Sequence, residues 1–323
     1  MDSRKLMEFG KSSYIISLPK NWIRSNKLKK GDSLHLKESA GDIILSLSNE
    51  EKELPQKKII IDTKDKSIGW IKAEVVGSYL NCYDLIEIRF NGLETRLPQI
   101  KEIIRNLSGL EIMEQTSSKM AAKDILNPKE VDINSIIRRM DVILRSMIDD
   151  GISCFSETNR EKMETLEINI RQRDEDINRL YFLSHRVIKN ALKNPSFGRA
   201  LGMDPWQLYS SALIILRLEK IGDRQKRIAT LCLNSKQSKK WKNDVSLIYQ
   251  DMRDKYLDVM KSYYTNNLAI AFEVETSNKN RINNCNELLK KSDSADSARI
   301  IENLSAMTTS IKYISRDVIG TQD

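Results

Sequence analysis

Two groups of residues in this chain have the types and spacing to do chemistry. The first is basic. Residues 1–37 hold nine Lys or Arg against three Asp or Glu, a net +6, while the whole chain is only +8. A positive field concentrated on so short a stretch suits a polyanion. It also fits a small β-rich adaptor whose basic face only keeps it soluble. The second group is acidic. In Leu218-Glu219-Lys220-Ile221-Gly222-Asp223-Arg224-Gln225-Lys226-Arg227-Ile228-Ala229, Glu219 and Asp223 stand four apart, on one face of a helix. A glycine inside a helix costs about 1 kcal/mol relative to alanine. Gly222 is therefore expected to mark a close approach by a neighbouring helix or a ligand. The same spacing also suits Lys220, Arg224 and Arg227 simply pairing with the two carboxylates on a wet surface, where such pairs are weak.

The basic residues need a framework, and turn and strand signals supply one. A short strand with Leu6 and Glu8 ends at Phe9-Gly10-Lys11, and Tyr14, Ile16 and Leu18 alternate with Ser13, Ile15 and Ser17 in a second. Pro19 closes that strand and opens a helical turn over 20–26. Lys29-Lys30-Gly31-Asp32 is a turn signal, and Leu34, Leu36 and residues 43–47 form two more strands around Ala40-Gly41-Asp42. A single copy of so short a segment buries too little apolar surface to stand alone, so a homodimer is expected.

The acidic segment belongs to a helical half that begins near Val131. Ile133, Ile136, Ile137, Met140, Ile143, Leu144 and Met147 form one apolar stripe, and Met163, Leu166, Ile170, Ile177, Leu180, Ser184 and Val187 form another on a helix longer than 25 residues. Residues 195–202 are a break, and Asp204-Pro205 caps a third helix to about Leu233. The scheme then recurs, with a helix over 242–272, a second around 281–289 and a third over 295–319. This predicts an antiparallel bundle of two three-helix repeats, about 130–235 and 240–323. Between the two ends, a charged linker at 49–53 and Leu54-Pro55 open a segment of alternating elements. Strands over 57–62 and 85–90, helices over 67–80 and 98–107, and strands over 111–115 and 120–126 predict a small α/β module, ferredoxin-like, spanning 55–127. It reads as an interdomain or sensing module. The fold class is multidomain α+β.

Composition excludes several functions. With 323 residues, 40% hydrophobic and 30% charged, two or three soluble domains are expected. Charged residues follow Met1 where a signal peptide would be apolar, and the longest uncharged run, 205–216, falls short of the roughly 20 residues of a membrane span. A soluble, cytoplasmic protein without membrane insertion is expected. Cys82, Cys154, Cys232 and Cys285 form no Cys-x-x-Cys pair, which excludes a zinc ribbon and points to buried thiols in a reducing compartment. His35 and His185 lack triad companions, and no Gly-rich phosphate loop is present, so the chain is not expected to be an enzyme.

The residues RK at the start, GKSSYIISLPKNW, LKKGDSLHL and GDIILSL resemble the swapped-hairpin DNA-binding domain of the AbrB/SpoVT/MazE type, over residues 1–52. The resemblance implies a β-barrel interlaced from two chains, with a basic face on duplex DNA. Arg4, Lys5, Lys11, Lys20, Arg24 and Lys27 are then the candidates for phosphate contacts, with Ser13 and Tyr14 supplying hydrogen bonds near the groove. Separately, LEKIGDRQKRIA, and Asp174-Glu175-Asp176-Ile177-Asn178-Arg179-Leu180-Tyr181-Phe182-Leu183, resemble the motifs of the PhoU phosphate-uptake regulators, over about 130–323. Joined to the front module, the whole resembles the archaeal form of that family. The resemblance implies iron or another divalent metal at acidic motifs on the bundle surface, with Glu219, Asp223 and Asp174 as the matching positions. Asn178 stands where the family motif has Asp, and in the second repeat Thr309 and Tyr313 fall opposite Glu219 and Asp223. Hard cations need several oxygen ligands, preferably anionic, so the second cluster is lost and the first is depleted.

Together these readings imply a DNA-binding transcriptional regulator of phosphate uptake and homeostasis, with duplex DNA and a second copy of the chain as partners. The bundle would sense or bind a partner such as a phosphate ABC transporter or its signalling partner. The alternative is a PhoU-like adaptor that restrains a transporter or kinase by protein contact, without DNA.

Overall fold

The computed structural model describes residues 3–11, 13–39, 42–46, 56–91, 95–127, 130–234 and 237–320. The chain divides into two compact units, Met1–Pro55 and Gln56–Asp323. The charged linker at 49–53 and the Leu54-Pro55 boundary lie outside the described residues.

In the first unit, β1 (Met7–Phe9) and β2 (Ser13–Ile15) form an antiparallel hairpin, pairing Met7 with Ile15 and Phe9 with Ser13. Gly10 turns it at φ +70°, a backbone region that only glycine enters freely. The second strand stops at Ile15 rather than running to Leu18, because its three-residue partner ends at Met7. Pro19 sits at the N-cap position in extended conformation, one residue before the helix α1 (Lys20–Ser25). Gly31, at φ +98°, turns the Lys29–Asp32 loop, where the Lys29 amide donates to Asp32 Oδ2 at 2.7 Å. A second antiparallel hairpin follows from β3 (His35–Ser39) and β4 (Asp42–Ser46). Among the described residues of this unit, none is buried.

The second unit starts with β5 (Lys58–Asp62), α2 (Ile68–Leu80), β6 (Leu85–Arg89), α3 (Leu97–Arg105), β7 (Leu110–Gln115) and β8 (Lys119–Asp124). The sheet order is β5-β6-β8-β7, with β5 parallel to β6 and β8 antiparallel to both neighbours. Its inner face, including Ile86, Ile88 and Met120, packs on Ile71, Val75, Ile100 and Ile104 of the two helices. The element order βαβαββ departs from the ferredoxin-like βαββαβ. No helix separates β7 from β8, so the last two strands close as a hairpin, and β8 takes the place beside β6.

The rest is helical: α4 (Ile133–Ser156), α5 (Arg160–Lys193), a short α6 (Pro195–Ala200), α7 (Pro205–Asn234), α8 (Lys239–Thr265), α9 (Leu268–Leu289) and α10 (Ala295–Ile319). Local chemistry fixes the ends. Asp132, Asn159, Ser238 and Ser294 each accept a backbone N–H of the helix that follows. Asp204 and Gln207 bond each other's amides ahead of α7, with Pro205 first in the helix. The stripes read from sequence are core, with Met140, Leu144, Ile170 and Ile177 fully buried, and the later helices bury Met252, Leu304 and Ile311 in the same way. The helix expected over 242–272 instead ends at Thr265. Asn266 turns left-handed at φ 53°, and Asn267 caps α9, which therefore starts at Leu268 rather than near Arg281.

One buried arginine ties the α/β layer to the bundle. Arg186 of α5 donates to the Tyr79 carbonyl at 2.6 Å and to Asp124, and its guanidinium lies 4.7 Å from the centre of the Tyr79 ring. Phe182, one turn earlier, packs on the α/β core, and Lys189 Nζ donates to Asn81 at 2.7 Å.

Candidate nucleic-acid interface and acidic cluster

All eight residues expected to face DNA are exposed: Arg4, Lys5, Lys11, Ser13, Tyr14, Lys20, Arg24 and Lys27. Lys11 sits in the β1–β2 turn, and Ser13 and Tyr14 are the first two residues of β2, on opposite faces of the ribbon. Lys20 and Arg24 share one face of α1, and Lys27 follows that helix at φ 54°. Among the described residues, no carboxylate lies within 4.0 Å of Lys5, Lys11, Lys20, Arg24 or Lys27. The apolar side chains beside them are exposed as well: Leu6, Phe9 and Tyr14 each keep 66% of their surface, and Leu36 67%.

The acidic group has the opposite setting. Asp174 on α5 and Glu219 on α7 are buried, and Asp223 is half-buried. The expectation of a wet surface pairing is corrected here. α5 crosses α7 so closely that Asp174 meets Lys226, which neither the Glu219–Asp223 spacing nor the Lys220, Arg224 and Arg227 pattern includes. Lys226 Nζ donates to Asp174 Oδ2 and lies 3.5 Å from Asp223 Oδ1, and Asn178 Nδ2 donates to the same Asp174 oxygen at 3.1 Å. Burial works to lower the Lys226 ammonium, but Asp174 and Asp223 outweigh it and leave it above its usual range. Lys220 Nζ stands 3.2 Å from Glu219 Oε2 without hydrogen-bond alignment, so that buried oxygen has no hydrogen-bond partner. Burial pushes the Glu219 carboxyl up. Arg224 turns away and donates to Asn303 of α10 at 3.2 Å.

These residues do not suit a divalent metal. An ammonium already lies between Asp174 and Asp223, and Asn178 offers an amide that donates to Asp174. Among the described residues, no three His, Cys, Asp or Glu are arranged to hold a metal ion. In α10, Thr309 bonds its own helix at the Ser305 carbonyl, and Tyr313 lies under Arg217, 4.6 Å from ring centre to guanidinium.

The glycine argument also moves. A Cβ on Gly222 would meet Ile177 and Leu144 at 3.5 Å, which is ordinary contact. The close approach is at Gly151 of α4, where a Cβ would run into the Tyr249 hydroxyl and lie 2.9 Å from Gln225 Oε1. The other residue missed is Asp141, buried in α4. It accepts Arg145 at 2.8 and 3.0 Å, the Tyr256 hydroxyl at 2.9 Å and the Tyr264 hydroxyl at 3.1 Å. An i,i+4 Asp–Arg pair at 141 and 145 was visible in the sequence, but it looks like a surface pair there.

Two known families match parts of the chain. Residues 137–232, which run from α4 to near the end of α7 and carry the acidic cluster, match the PhoU domain. Residues 9–53 match MazE, the antidote-toxin recognition bacterial antitoxin. The chain thus joins an N-terminal MazE-type domain to a PhoU domain, while α8–α10 lie outside both matches. No curated protein and no solved structure matches the chain.

Proposed function

We propose that the protein is a DNA-binding transcriptional regulator of phosphate uptake and homeostasis, acting in the cytoplasm as a homodimer. The observation that carries this is the state of the first unit. It buries none of its described residues, exposes Leu6, Phe9, Tyr14, Ile16, Leu36 and Ile43, and holds five cations with no carboxylate near them among the described residues. Such a unit needs two partners. A second copy covers the apolar side chains by interlacing hairpins into one barrel, and a polyanion answers the charge. Arg4, Lys5, Lys11, Lys20, Arg24 and Lys27 contact phosphates, and Ser13 and Tyr14 bond near the groove. The bundle, a duplicated three-helix unit, senses or binds a protein partner such as a phosphate ABC transporter or its signalling partner. No helix among the described residues is long and apolar enough to cross a membrane.

The test is an electrophoretic shift with duplex fragments upstream of phosphate-transport genes, run at two salt concentrations. Affinity should fall with salt by a log–log slope of about −0.9 for each phosphate contacted. Changing Arg4 and Lys11 together to Glu should remove binding, and full affinity in that variant refutes the proposal. A second reading is a PhoU-like adaptor that restrains a transporter or signalling kinase without touching DNA. It is supported by the PhoU match alone, and it predicts no duplex binding by the unmodified chain either.

A further inference from the structure

The acidic cluster on α5 and α7 has its cation built in. We propose that Lys226 is the resident counter-ion of this cluster, holding Asp174 and Asp223 together where a divalent metal would otherwise sit, so that the chain binds no metal there. The geometry favours this in three ways. Lys226 Nζ donates to Asp174 Oδ2, an oxygen that also takes a hydrogen bond from Asn178, so its acceptor capacity is used. The same Nζ lies 3.5 Å from Asp223 Oδ1, and it therefore bridges carboxylates on two helices rather than pairing within one. Glu219, on the same helix one turn before Asp223, stands 3.2 Å from Lys220 instead, and the three carboxylates are not arranged to hold one ion.

The charges decide against both cations being present together. Asp174, Asp223 and Glu219 supply three negative charges, and Lys226 with Lys220 supply two positive ones. A dication entering beside Lys226 would reverse the sign of the pocket and meet the ammonium at close range in a partly buried place, where repulsion is poorly screened. It must displace the lysine, which is tethered to α7 and already in contact. Removing that ammonium leaves the buried Asp174 carboxylate without its counter-ion, which is strongly destabilising. A practical consequence is that the link between α5 and α7 is insensitive to chelators.

The experiment uses the full chain and Mn2+ as probe, followed by calorimetry and by the electron paramagnetic resonance signal of free Mn2+. The unmodified protein and Asp174→Asn should both bind no stoichiometric Mn2+, and EDTA should leave the thermal midpoint unchanged. Lys226→Met keeps the aliphatic stem but leaves Asp174 without its counter-ion, so its thermal midpoint should fall, and Mn2+ should not restore it. Adding Asp174→Asn to Lys226→Met should recover part of that loss, because the cost lies in the orphaned carboxylate. Stoichiometric Mn2+ on the unmodified chain that Asp174→Asn removes overturns the proposal, and so does a Lys226→Met protein whose thermal midpoint is unchanged. If Lys226→Met does not fold, the comparison of the unmodified chain with Asp174→Asn still decides between resident lysine and metal.

Discussion

The two units of this chain use charge in opposite ways. In the first, residues 1–37 carry a net +6, and Lys5, Lys11, Lys20, Arg24 and Lys27 have no carboxylate near them among the described residues. In the second, charges of opposite sign meet inside the fold: Arg186 with Asp124, Lys226 with Asp174, Arg145 with Asp141. The apolar surface follows the same division, exposed in the first unit and packed into two cores, one in the α/β layer and one in the bundle, in the second. Charge that is compensated inside a fold serves the fold. Charge that is not compensated remains for a partner. The motif that looked most like a site, Glu219 to Asp223, belongs to the first kind, and the plainer basic stretch belongs to the second.

That contrast breaks first at Arg186, if anywhere. Its side chain is nearly fully buried and joins helix α5 to the carbonyl of Tyr79 and the carboxylate of Asp124. Arg186→Leu strands Asp124 without its ion partner, and breaking a buried pair from one side costs roughly 3–5 kcal/mol. Urea unfolding should show that loss, and Arg186→Leu with Asp124→Leu should recover part of it, because the cost lies in the orphaned charge. A loss under about 0.5 kcal/mol would place this pair among surface ion pairs and end the contrast. Asp141→Ala comes next, at about 3 kcal/mol, since it leaves the Tyr256 and Tyr264 hydroxyls without an acceptor and Arg145 without its carboxylate.

What the sequence discloses follows from how local each interaction is. Gly10, Gly31 and Pro19 punctuate the first unit at the places where the backbone demands them, and Asp204-Pro205 starts α7 as expected. The helical stripes were legible because burial repeats at 3/4 spacing. The break at Asn266 was not, because it uses no Gly or Pro, and Asn is tolerated in helix interiors as well as in the left-handed turn. Arg186 meets partners 107 and 62 residues away in sequence, and no pattern along one helix reports them. Lys226 shows the same limit more sharply. It stands three residues after Asp223, within the quoted motif, yet the partner that holds it is Asp174, brought in by the crossing of another helix.

The two glycines extend this point and give the next smaller effects. Gly151→Ala should destabilise by about 1–3 kcal/mol, because Tyr249 is fully buried and cannot swing away from an added methyl. Gly222→Ala has room and should stabilise by up to about 1 kcal/mol through helix propensity and a less flexible unfolded chain. If the two signs were exchanged, the close approach would be at Gly222 after all.

The smallest effect is the one that tests the contrast most directly. Lys20→Glu and Arg24→Glu reverse two exposed charges on one face of α1 that have no counter-ion among the described residues. Exposed substitutions of this kind change stability by less than about 0.5 kcal/mol, and relief of repulsion within a net +6 stretch would make the sign slightly favourable. Thermal unfolding should therefore be unchanged or a little higher, while duplex binding at low salt falls steeply. Stability and binding respond together only if these cations are part of the fold. A clear drop in the thermal midpoint would mean that a carboxylate compensates them in the assembled protein, and the first unit would then resemble the second.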